Sequence, residues 1–298
     1  MGTQFMRRSL LYIPGSSDKM LKKASSILAD SIILDLEDSV SIAEKRTARE
    51  RVMAYIPRIR KECQTEILVR VNGMDTLCGI EDLLEILPCH PDGVVIPKAN
   101  EHAVILADGI ISAVEAERNL PPNTIGMIPL FETAYSIANP LPILTSASRI
   151  NGVQLGGEDL TKEQEITRTP LGEEIRYARH QVAMAGRACG LDIFDTPYTE
   201  IHDLEGVRRD AETAKQIGFT GKTCIHPSHI AVIHEVFSPS EEEVAFSRGV
   251  LEAYDAALAE GRGACMYQNK MVDAPVADRA RKIIQKAQRI QQLAGQPS

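Results

Sequence analysis

The chain has 298 residues, of which 44% are hydrophobic and 25% charged, a balance that excludes disordered and fibrous proteins. With 33 basic and 41 acidic residues the net charge is −8, and only 4% of residues are aromatic, so we expect no nucleic-acid partner. No apolar run approaches the roughly 18 residues of a membrane-spanning helix, so no membrane role is expected. Six scattered cysteines without a C-x-x-C motif are typical of a reducing compartment, and we expect a cytoplasmic location.

Short apolar runs rich in β-branched residues recur along the chain, and stretches of helical periodicity separate them. The eight runs are 9–14, 31–38, 66–73, 93–98, 124–132, 150–159, 191–198 and 220–227. The helical stretches between them are 18–29, 42–62, 77–87, 101–118, 134–147, 172–188 and 203–218. Eight strand–helix repeats predict an α/β fold of the (β/α)8 TIM-barrel type. A doubly wound open sheet is the alternative, but the phosphate-binding glycine fingerprint of that fold is missing.

The barrel is expected to occupy residues 1–235 and to form the catalytic domain. Residues 236–298 are then a C-terminal helical arm or lid, packed on the barrel or on a neighbouring subunit. Ser240 and Glu243 have the spacing of a capping box and predict a helix that runs to about residue 259. A β-like stretch over 264–272 and an amphipathic helix after Pro275 complete this extension.

Ionisable residues stand at the ends of the predicted strands, where a parallel barrel has its catalytic groups. They are Asp35, Glu37, Asp38, Arg70, Lys98, Glu132, Glu158, Asp159 and His226. Carboxylates brought together need a cation, and without a His pair or Cys cluster beside them the residue types favour Mg²⁺. Mg²⁺ next to an arginine stabilises negative charge on an enolate or carboxylate, which indicates carbon–carbon bond chemistry on an oxy-acid. For any single residue, a charge marking the end of a strand is an equally good explanation.

Two lysines suggest a different mechanism. Lys98 and Lys222 could each form a Schiff base in a metal-free aldolase, although neighbouring carboxylates would keep a lysine protonated. The segment 221–223 resembles the end of a P-loop, but Gln216 stands where that motif requires glycine, and a strand follows instead of a helix. His226 is followed by Pro227, and we expect it to have a structural role in a turn.

The first 23 residues reverse the overall charge, with five basic side chains and one aspartate (5 − 1 = +4). This excess predicts a local anion site at the barrel rim, at the N-terminus of a helix that follows residues 14–17. A phosphorylated carrier would fit such a site. A solvated helix face is the alternative explanation.

Several separated motifs together resemble the β-subunit family of citrate lyase, within the HpcH/HpaI aldolase group. They are LYIPG (11–15), LDLEDSV (34–40), VRVNG (69–73), VIPK (95–98), PLFETA (129–134), GGEDL (156–160) and GKTCIHP (221–227). The resemblance extends over nearly the whole chain. It implies a Mg²⁺-dependent TIM barrel that acts on CoA-type thioesters of hydroxy acids, and an assembly into homotrimers or hexamers.

The same resemblance assigns roles to individual residues. It implies that Glu132 and Asp159 bind the metal and that Arg70 contacts the substrate oxygens. It further implies that Glu37 and Asp38 hydrogen-bond to water on the metal.

Other candidates come from the two ends of the chain. The segment KMVDAP (270–275) resembles one that places an aspartate over a neighbouring subunit's site, which makes Asp273 a candidate acid or base. Lys23 resembles a lysine used near the CoA phosphates, and Lys19 is a second candidate for the same contact. Residues 16–18 are Ser-Ser-Asp where many relatives have Asn-Arg-Pro, so one expected nucleotide contact is missing.

These features predict a reversible lyase that cleaves a 3-hydroxyacyl thioester of the citryl, malyl or citramalyl type. Two alternatives stay open, a class II aldolase acting on free sugar acids and a non-catalytic assembly subunit of a citrate lyase complex. The sequence does not distinguish the three thioesters, because their selection depends on a few contacts worth about 1–3 kcal/mol. It also does not distinguish CoA from an acyl-carrier protein.

Overall fold

The fold is described here from a computed structural model that covers residues 5–294. Eight parallel strands follow one another in chain order around a closed barrel, and the last pairs with the first. They are β1 (Ser9–Pro14), β2 (Ser31–Asp35), β3 (Glu66–Arg70), β4 (Gly93–Ile96), β5 (Gly126–Phe131), β6 (Gly152–Leu155), β7 (Asp192–Asp195) and β8 (Gly221–Cys224). This topology confirms the predicted (β/α)8 barrel.

Helices connect the strands and continue after the last one. They are α1 (Asp18–Leu21), α2 (Lys45–Glu62), α3 (Leu77–Ile86), α4 (Glu101–Glu117), α5 (Ala134–Ala138), α6 (Pro140–Leu144), α7 (Gly157–Glu163), α8 (Arg176–Ala188), α9 (Leu204–Ile217), α10 (His229–Phe237), α11 (Glu241–Ala259) and α12 (Ala274–Ala294). Side chains cap several N-termini as residues of these types should, among them Thr76, Asn100 and Asp203.

Several predicted elements differ in the structure. The helix expected over 18–29 ends at Leu21. The strand expected over 150–159 ends at Leu155, and Gly157 begins the helix α7, which the sequence did not reveal because its N-cap, Gly156, has no capping side chain. The helix expected over 134–147 is divided into α5 and α6, and Pro140 begins the second of these.

The barrel interior is filled by alternate residues of the strands, because successive side chains of a strand point to opposite faces. The middle of the barrel is apolar and consists of Leu10, Ile33, Leu68, Val95, Ile128, Leu130 and Phe194. Two residues further along three of these strands stand Tyr12, Asp35 and Arg70. The interior therefore changes from apolar to polar towards the carboxyl ends of the strands.

The amino-terminal end of the barrel is closed by ion pairs. Arg7, which precedes β1, is buried and donates to Glu66 Oε2 at 2.9 Å, and Ser31 Oγ donates to the same oxygen at 2.5 Å. The Arg7 guanidinium also contacts Asn151 and Asp192, and its Cζ lies 5.9 Å from the centre of the Phe194 ring. This group of side chains, which we call the basal plug, lies beneath the apolar layer.

The chain divides after His234 into two compact units. In the second unit, α11 begins at a capping box formed by Ser240 and Glu243, as predicted. Its core contains Val250, Tyr254, Val272, Ala277 and Ala280. A short antiparallel hairpin, β9 (Cys265–Tyr267) and β10 (Lys270–Val272), connects α11 to α12, with Gln268 and Asn269 at positive φ in its turn. The role of this unit as an arm or lid stays a prediction.

Candidate active site

A cavity of about 420 Å³ opens at the carboxyl ends of the barrel strands. Its polar lining includes Asp35, Arg70, Gln154, Glu132 and Asp159, and its apolar lining includes Pro14, Met20, Leu130, Pro197 and Ile225. Asp38 and Glu158 also line it. Of the eight residues that the sequence suggested for the site, the cavity brings together Arg70, Asp38, Glu132 and Asp159.

Arg70 is fixed by a bidentate pair with Asp35. Its Nε and Nη2 donate to the two carboxylate oxygens of Asp35 at 2.7 and 2.8 Å, and its guanidinium lies 4.8 Å from the centre of the Tyr12 ring. Burial alone would raise the pKa of the Asp35 carboxyl, but the hydrogen bonds and charge of Arg70 outweigh burial and lower it. Arg70 is therefore a preorganised cation at the cavity.

Glu37 lies beside this pair, between two cations, but does not line the cavity. Lys98 Nζ donates to its Oε1 at 2.5 Å, and its Oε2 lies 3.1 Å from Arg70 Nη1 without accepting a hydrogen bond. Burial raises the pKa of Glu37 even though both cations oppose the shift. Asp38 is more exposed, with its Oδ2 3.5 Å from Arg70 Nη1.

Glu132 is a deeply buried carboxylate, with 2% of its surface exposed. The backbone N–H of Lys98 donates to its Oε1 at 2.8 Å. Burial, and then the charge of Glu37, raises the pKa of Glu132 to about 8, and the charge of Asp159 adds to this effect. Burial and the neighbouring carboxylates both oppose a negative charge on Glu132, and a bound cation would offset them.

Asp159 stands in the first turn of α7 rather than at the end of a strand. The backbone N–H of Gly157 donates to Thr196 Oγ1 at 2.9 Å, and this bond ties the start of α7 to the residue that follows β7. Gly156 is also required here, because a Cβ at this position would lie 2.7 Å from Glu132 Cβ. The helix start and Glu132 are thus packed directly together.

Tyr12, Gln154 and Thr196 line the cavity but were not predicted as site residues. Tyr12 and Thr196 stand two residues after Leu10 and Phe194 of the apolar layer, and Gln154 pairs with Leu130 and Phe194 on the neighbouring strands. The two-residue alternation of strands was therefore the signal that could have identified them.

The structure disfavours a Schiff-base lysine. Lys222 is buried and donates to Asp195, Asp210 and the Thr196 carbonyl, each at 2.6 Å, and it does not line the cavity. With Arg179, these two aspartates and Lys222 form a buried ion cluster. Burial opposes charge on Lys98, but the hydrogen bond and charge of Glu37 raise the pKa of Lys98, so its amine stays protonated.

The predicted anion site in residues 1–23 is wrong as a single cluster. Arg7 belongs to the basal plug and Arg8 pairs with Asp30 at 2.8 Å, so neither lies at the rim. The helix α1 has a single turn with Asp18 in it, and Lys22 pairs with this aspartate at 2.7 Å.

Lys19, Lys23 and His226 do not line the cavity. Lys19 lies in α1 and Lys23 follows it, and both are exposed. His226 is partly exposed, and its Nδ1 lies 2.7 Å from Ser228 Oγ, as expected for a turn residue. Asp273 belongs to the second unit and caps α12, because its Oδ1 accepts from the backbone N–H of Val276 at 3.2 Å. Its catalytic role stays a prediction.

Two absences apply to residues 5–294. No helix there has the length and apolar character needed to cross a membrane. No group of three or more His, Cys, Asp or Glu side chains in the same range is arranged to hold a metal ion. A cation at Glu132 and Asp159 would therefore leave most of its coordination positions to water and ligand oxygens, as Mg²⁺ commonly does.

Parallel barrels perform catalysis at the rim where their strands end, and this chain is an enzyme of that class. A model of the HpcH/HpaI aldolase/citrate lyase family matches residues 8–227. The chain is 33% identical over 288 residues to citrate lyase subunit beta of Leuconostoc mesenteroides subsp. cremoris, covering 96% of this chain and 95% of the relative. The chain belongs to the HpcH/HpaI aldolase/citrate lyase family, which confirms the resemblance seen in its motifs.

Two further relatives bear on the chemistry. A (3S)-malyl-CoA thioesterase of Cereibacter sphaeroides is 34% identical over 289 residues, covering 95% of both chains. The structure of CitE from Mycobacterium tuberculosis, in complex with magnesium, acetoacetate and coenzyme A, superimposes with a TM-score of 0.77 at 29% identity. That similarity covers 95% of this chain and 98% of the other.

Proposed function

We propose that the protein is a Mg²⁺-dependent carbon–carbon lyase that cleaves a 3-hydroxyacyl thioester of the citryl-, malyl- or citramalyl-CoA type. The products would be a 2-oxo acid and a shorter acyl thioester. The observation that carries this proposal is the carboxylate pair of Glu132 and Asp159 next to the fixed guanidinium of Arg70. The relatives named for citrate and malyl-CoA, and the magnesium and coenzyme A bound to CitE, support the same choice.

The residues at the cavity fit Mg²⁺. Glu132 and Asp159 offer hard carboxylate oxygens, and one oxygen of Glu132 is already oriented by the Lys98 N–H. These two side chains would hold the ion, with Glu37 and Asp38 hydrogen-bonding to its water. When bound, Mg²⁺ supplies positive charge that stabilises negative charge on the substrate oxygens.

Arg70 and Asp273 would act on the substrate directly. In the cleavage, the hydroxyl loses its proton and its oxygen becomes the carbonyl oxygen of the 2-oxo acid. The bond from the hydroxyl-bearing carbon to the thioester α-carbon breaks, and its electron pair stays on the α-carbon as an enolate. Arg70 opposes the charge on the acid end, and Asp273 protonates the enolate. Asp273 would do this in its own subunit or in a neighbouring one.

Other parts of the proposal concern binding and assembly. Lys19 in α1 and Lys23 shortly after it are both exposed and would contact the phosphates of CoA or of an acyl-carrier protein. We also propose a cytoplasmic enzyme that assembles as a homotrimer or hexamer. Because some relatives are named thioesterases, hydrolysis of the thioester is the second candidate reaction.

A substrate panel tests the reaction. Malyl-, citramalyl- and citryl-CoA are each incubated with Mg²⁺ or with excess EDTA, and the products are separated by chromatography. Cleavage releases a 2-oxo acid and acetyl-CoA, whereas hydrolysis releases free CoA and the intact hydroxy acid. We expect Mg²⁺-dependent cleavage of at least one thioester, and full activity in EDTA would contradict the metal's role.

Two variants assign the residues. Glu132→Gln should lose Mg²⁺ binding in calorimetry as well as turnover, while Glu117→Gln on the exposed surface of α4 should change neither. Asp273→Asn should lower turnover and leave Mg²⁺ affinity unchanged. Asparagine still caps α12 through its side-chain oxygen, so the fold is preserved. An unchanged turnover number would remove Asp273 from the mechanism.

A further inference from the structure

The floor of the cavity contains a buried amide with an unpaired oxygen. Gln154 is 2% exposed, and its Nε2 donates to the Tyr12 hydroxyl at 2.8 Å. Its Oε1 accepts no hydrogen bond from any residue in the described range 5–294. Both side chains line the cavity. A buried polar atom without a partner costs free energy, so this oxygen is available to a donor from a ligand in the cavity.

Packing does not explain a glutamine at this position. In the strand ladder, Gln154 pairs with Leu130 on one side and Phe194 on the other, and both belong to the apolar layer of the barrel. An aliphatic side chain here would complete that layer without leaving a polar atom unpaired. Packing within the apolar layer therefore does not account for the carboxamide.

The two side chains together offer one donor and one acceptor. Burial raises the pKa of Tyr12, so the phenol keeps its proton, and its oxygen already accepts from Gln154. No acceptor among residues 5–294 pairs with that proton, which leaves it for a ligand. A hydroxyl group matches this arrangement, because it accepts one hydrogen bond and donates another, whereas a carboxylate or carbonyl oxygen only accepts.

We infer that Tyr12 and Gln154 form a subsite for the alcohol group of a 2-hydroxy acid. In the proposed reaction, on which this inference rests, that alcohol is the hydroxyl of the 3-hydroxyacyl thioester. The subsite then distinguishes the hydroxy acid from the 2-oxo acid that cleavage produces, because the product has no hydroxyl proton to donate to Gln154. Tyr12 and Gln154 thereby contribute to the recognition of the substrate over the product.

Binding of small acids tests this subsite without any thioester. The dissociation constants of malate and of glyoxylate are measured by calorimetry in the presence of Mg²⁺. Gln154→Met keeps the side-chain length and removes the acceptor, and it should weaken malate by about tenfold or more and glyoxylate by less than about threefold. Tyr12→Phe should weaken malate in the same direction.

A matched glutamine–tyrosine pair on the surface provides the control. Gln181 Nε2 donates to Tyr177 OH at 2.9 Å in an exposed position, so Gln181→Met removes an equivalent bond away from the cavity and should change neither constant. Equal weakening of both acids by Gln154→Met would mean that the residue only packs. Stronger weakening of glyoxylate would mean that the amide donates to a carbonyl. Either result, or a wild-type protein that does not bind malate, overturns the subsite.

The binding test of the subsite and the cleavage test of the proposed reaction can fail independently of each other. If no thioester is cleaved but the malate constant responds as expected, the subsite stands and the lyase activity fails. If a thioester is cleaved and the ratio of the two constants does not change, the lyase stands and the subsite fails.

Discussion

The backbone N–H of Lys98 donates a 2.8 Å hydrogen bond to Glu132 Oε1, and the side chain of the same residue donates to Glu37 Oε1. Lys98 adopts a φ of 46°, in the left-handed region that residues with a side chain seldom occupy. One residue therefore orients two buried carboxylates, and its backbone is strained where it does so.

Lys98→Met separates the contributions of amide and amine. The backbone N–H contact to Glu132 is retained, so Mg²⁺ affinity should change by less than about threefold. The variant should lose only about 1 kcal/mol of stability, because the ammonium that it removes is half-exposed. Calorimetry and urea unfolding measure the two effects. A Schiff-base mechanism would instead predict complete loss of turnover, with a borohydride-trapped adduct of pyruvate on the wild-type protein only.

Gly156→Ala should displace Glu132. The added Cβ would lie 2.7 Å from Glu132 Cβ and 2.8 Å from its Oε2, distances that require one of the two residues to move. Because misplacing a catalytic group by about 1 Å can cost about a hundredfold, we expect a loss of turnover of that order. Mg²⁺ affinity measured by calorimetry should fall as well.

The control for this variant is Gly109→Ala. Gly109 lies within α4, and no atom lies within 4 Å of an added Cβ. Alanine is favoured over glycine in a helix by about 0.5–1 kcal/mol, so this variant should be slightly more stable and fully active. Equal activity of the two alanine variants would show that Glu132 tolerates displacement.

Lys222→Met should destabilise the protein strongly. It leaves Asp195 and Asp210 with Arg179 as their only cation in the buried cluster, and breaking a buried ion pair costs about 3–5 kcal/mol. Urea unfolding measures the loss. Lys61→Met, at an exposed position near the end of α2, should change stability by less than about 0.5 kcal/mol. Adding Asp210→Asn to Lys222→Met should recover part of the loss, and no recovery would argue against an electrostatic cause.

Glu174 should give stability that depends on pH. Burial would raise the pKa of Glu174, but hydrogen bonds from Thr169 and the guanidinium of Arg168 lower it to about 2. A lowered pKa in the folded state gives stability that is complete above the unfolded value, near 4.3. This stability is lost as the pH falls towards 2.

The stability of Glu174→Gln relative to wild type measures this effect. The difference between their urea midpoints should be constant from about pH 6 to 8 and shrink steadily below about pH 4.5. Glu173→Gln changes the adjacent residue, which forms an exposed pair with Arg176, and it should have little effect at any of these pH values. A difference for Glu174→Gln that does not change with pH would contradict the assigned cause.

The barrel could be predicted from the sequence because its strands are buried on both faces and read as uninterrupted apolar runs. The first strand was predicted with its observed bounds, 9–14. Later strands were predicted too long, as for 31–38, where β2 ends at Asp35. The polar residues Glu37 and Asp38 follow this strand in the sequence, but they lie beyond its paired part, at the rim of the barrel.

The site was predictable only in part. The rule that strands end at the catalytic rim identified Asp35, Arg70 and Glu132, but it did not show that Asp35 pairs with Arg70. The net charge of residues 1–23 was misleading for a physical reason. Arg7 and Arg8 precede β1 while the lysines follow it, so a sum over the segment combines charges from opposite ends of one strand.

The basal plug closes the barrel below the cavity, so the cavity has its opening at the rim. With Arg7 and Glu66 closing the amino-terminal end of the barrel beneath an apolar layer, no path leads out along the barrel axis. A molecule split at the rim must release both fragments through the mouth by which it entered. In the proposed reaction, the fragment seated deeper, against Tyr12 and Gln154, would leave only after the fragment nearer the mouth, so the closed barrel would impose an order of product release.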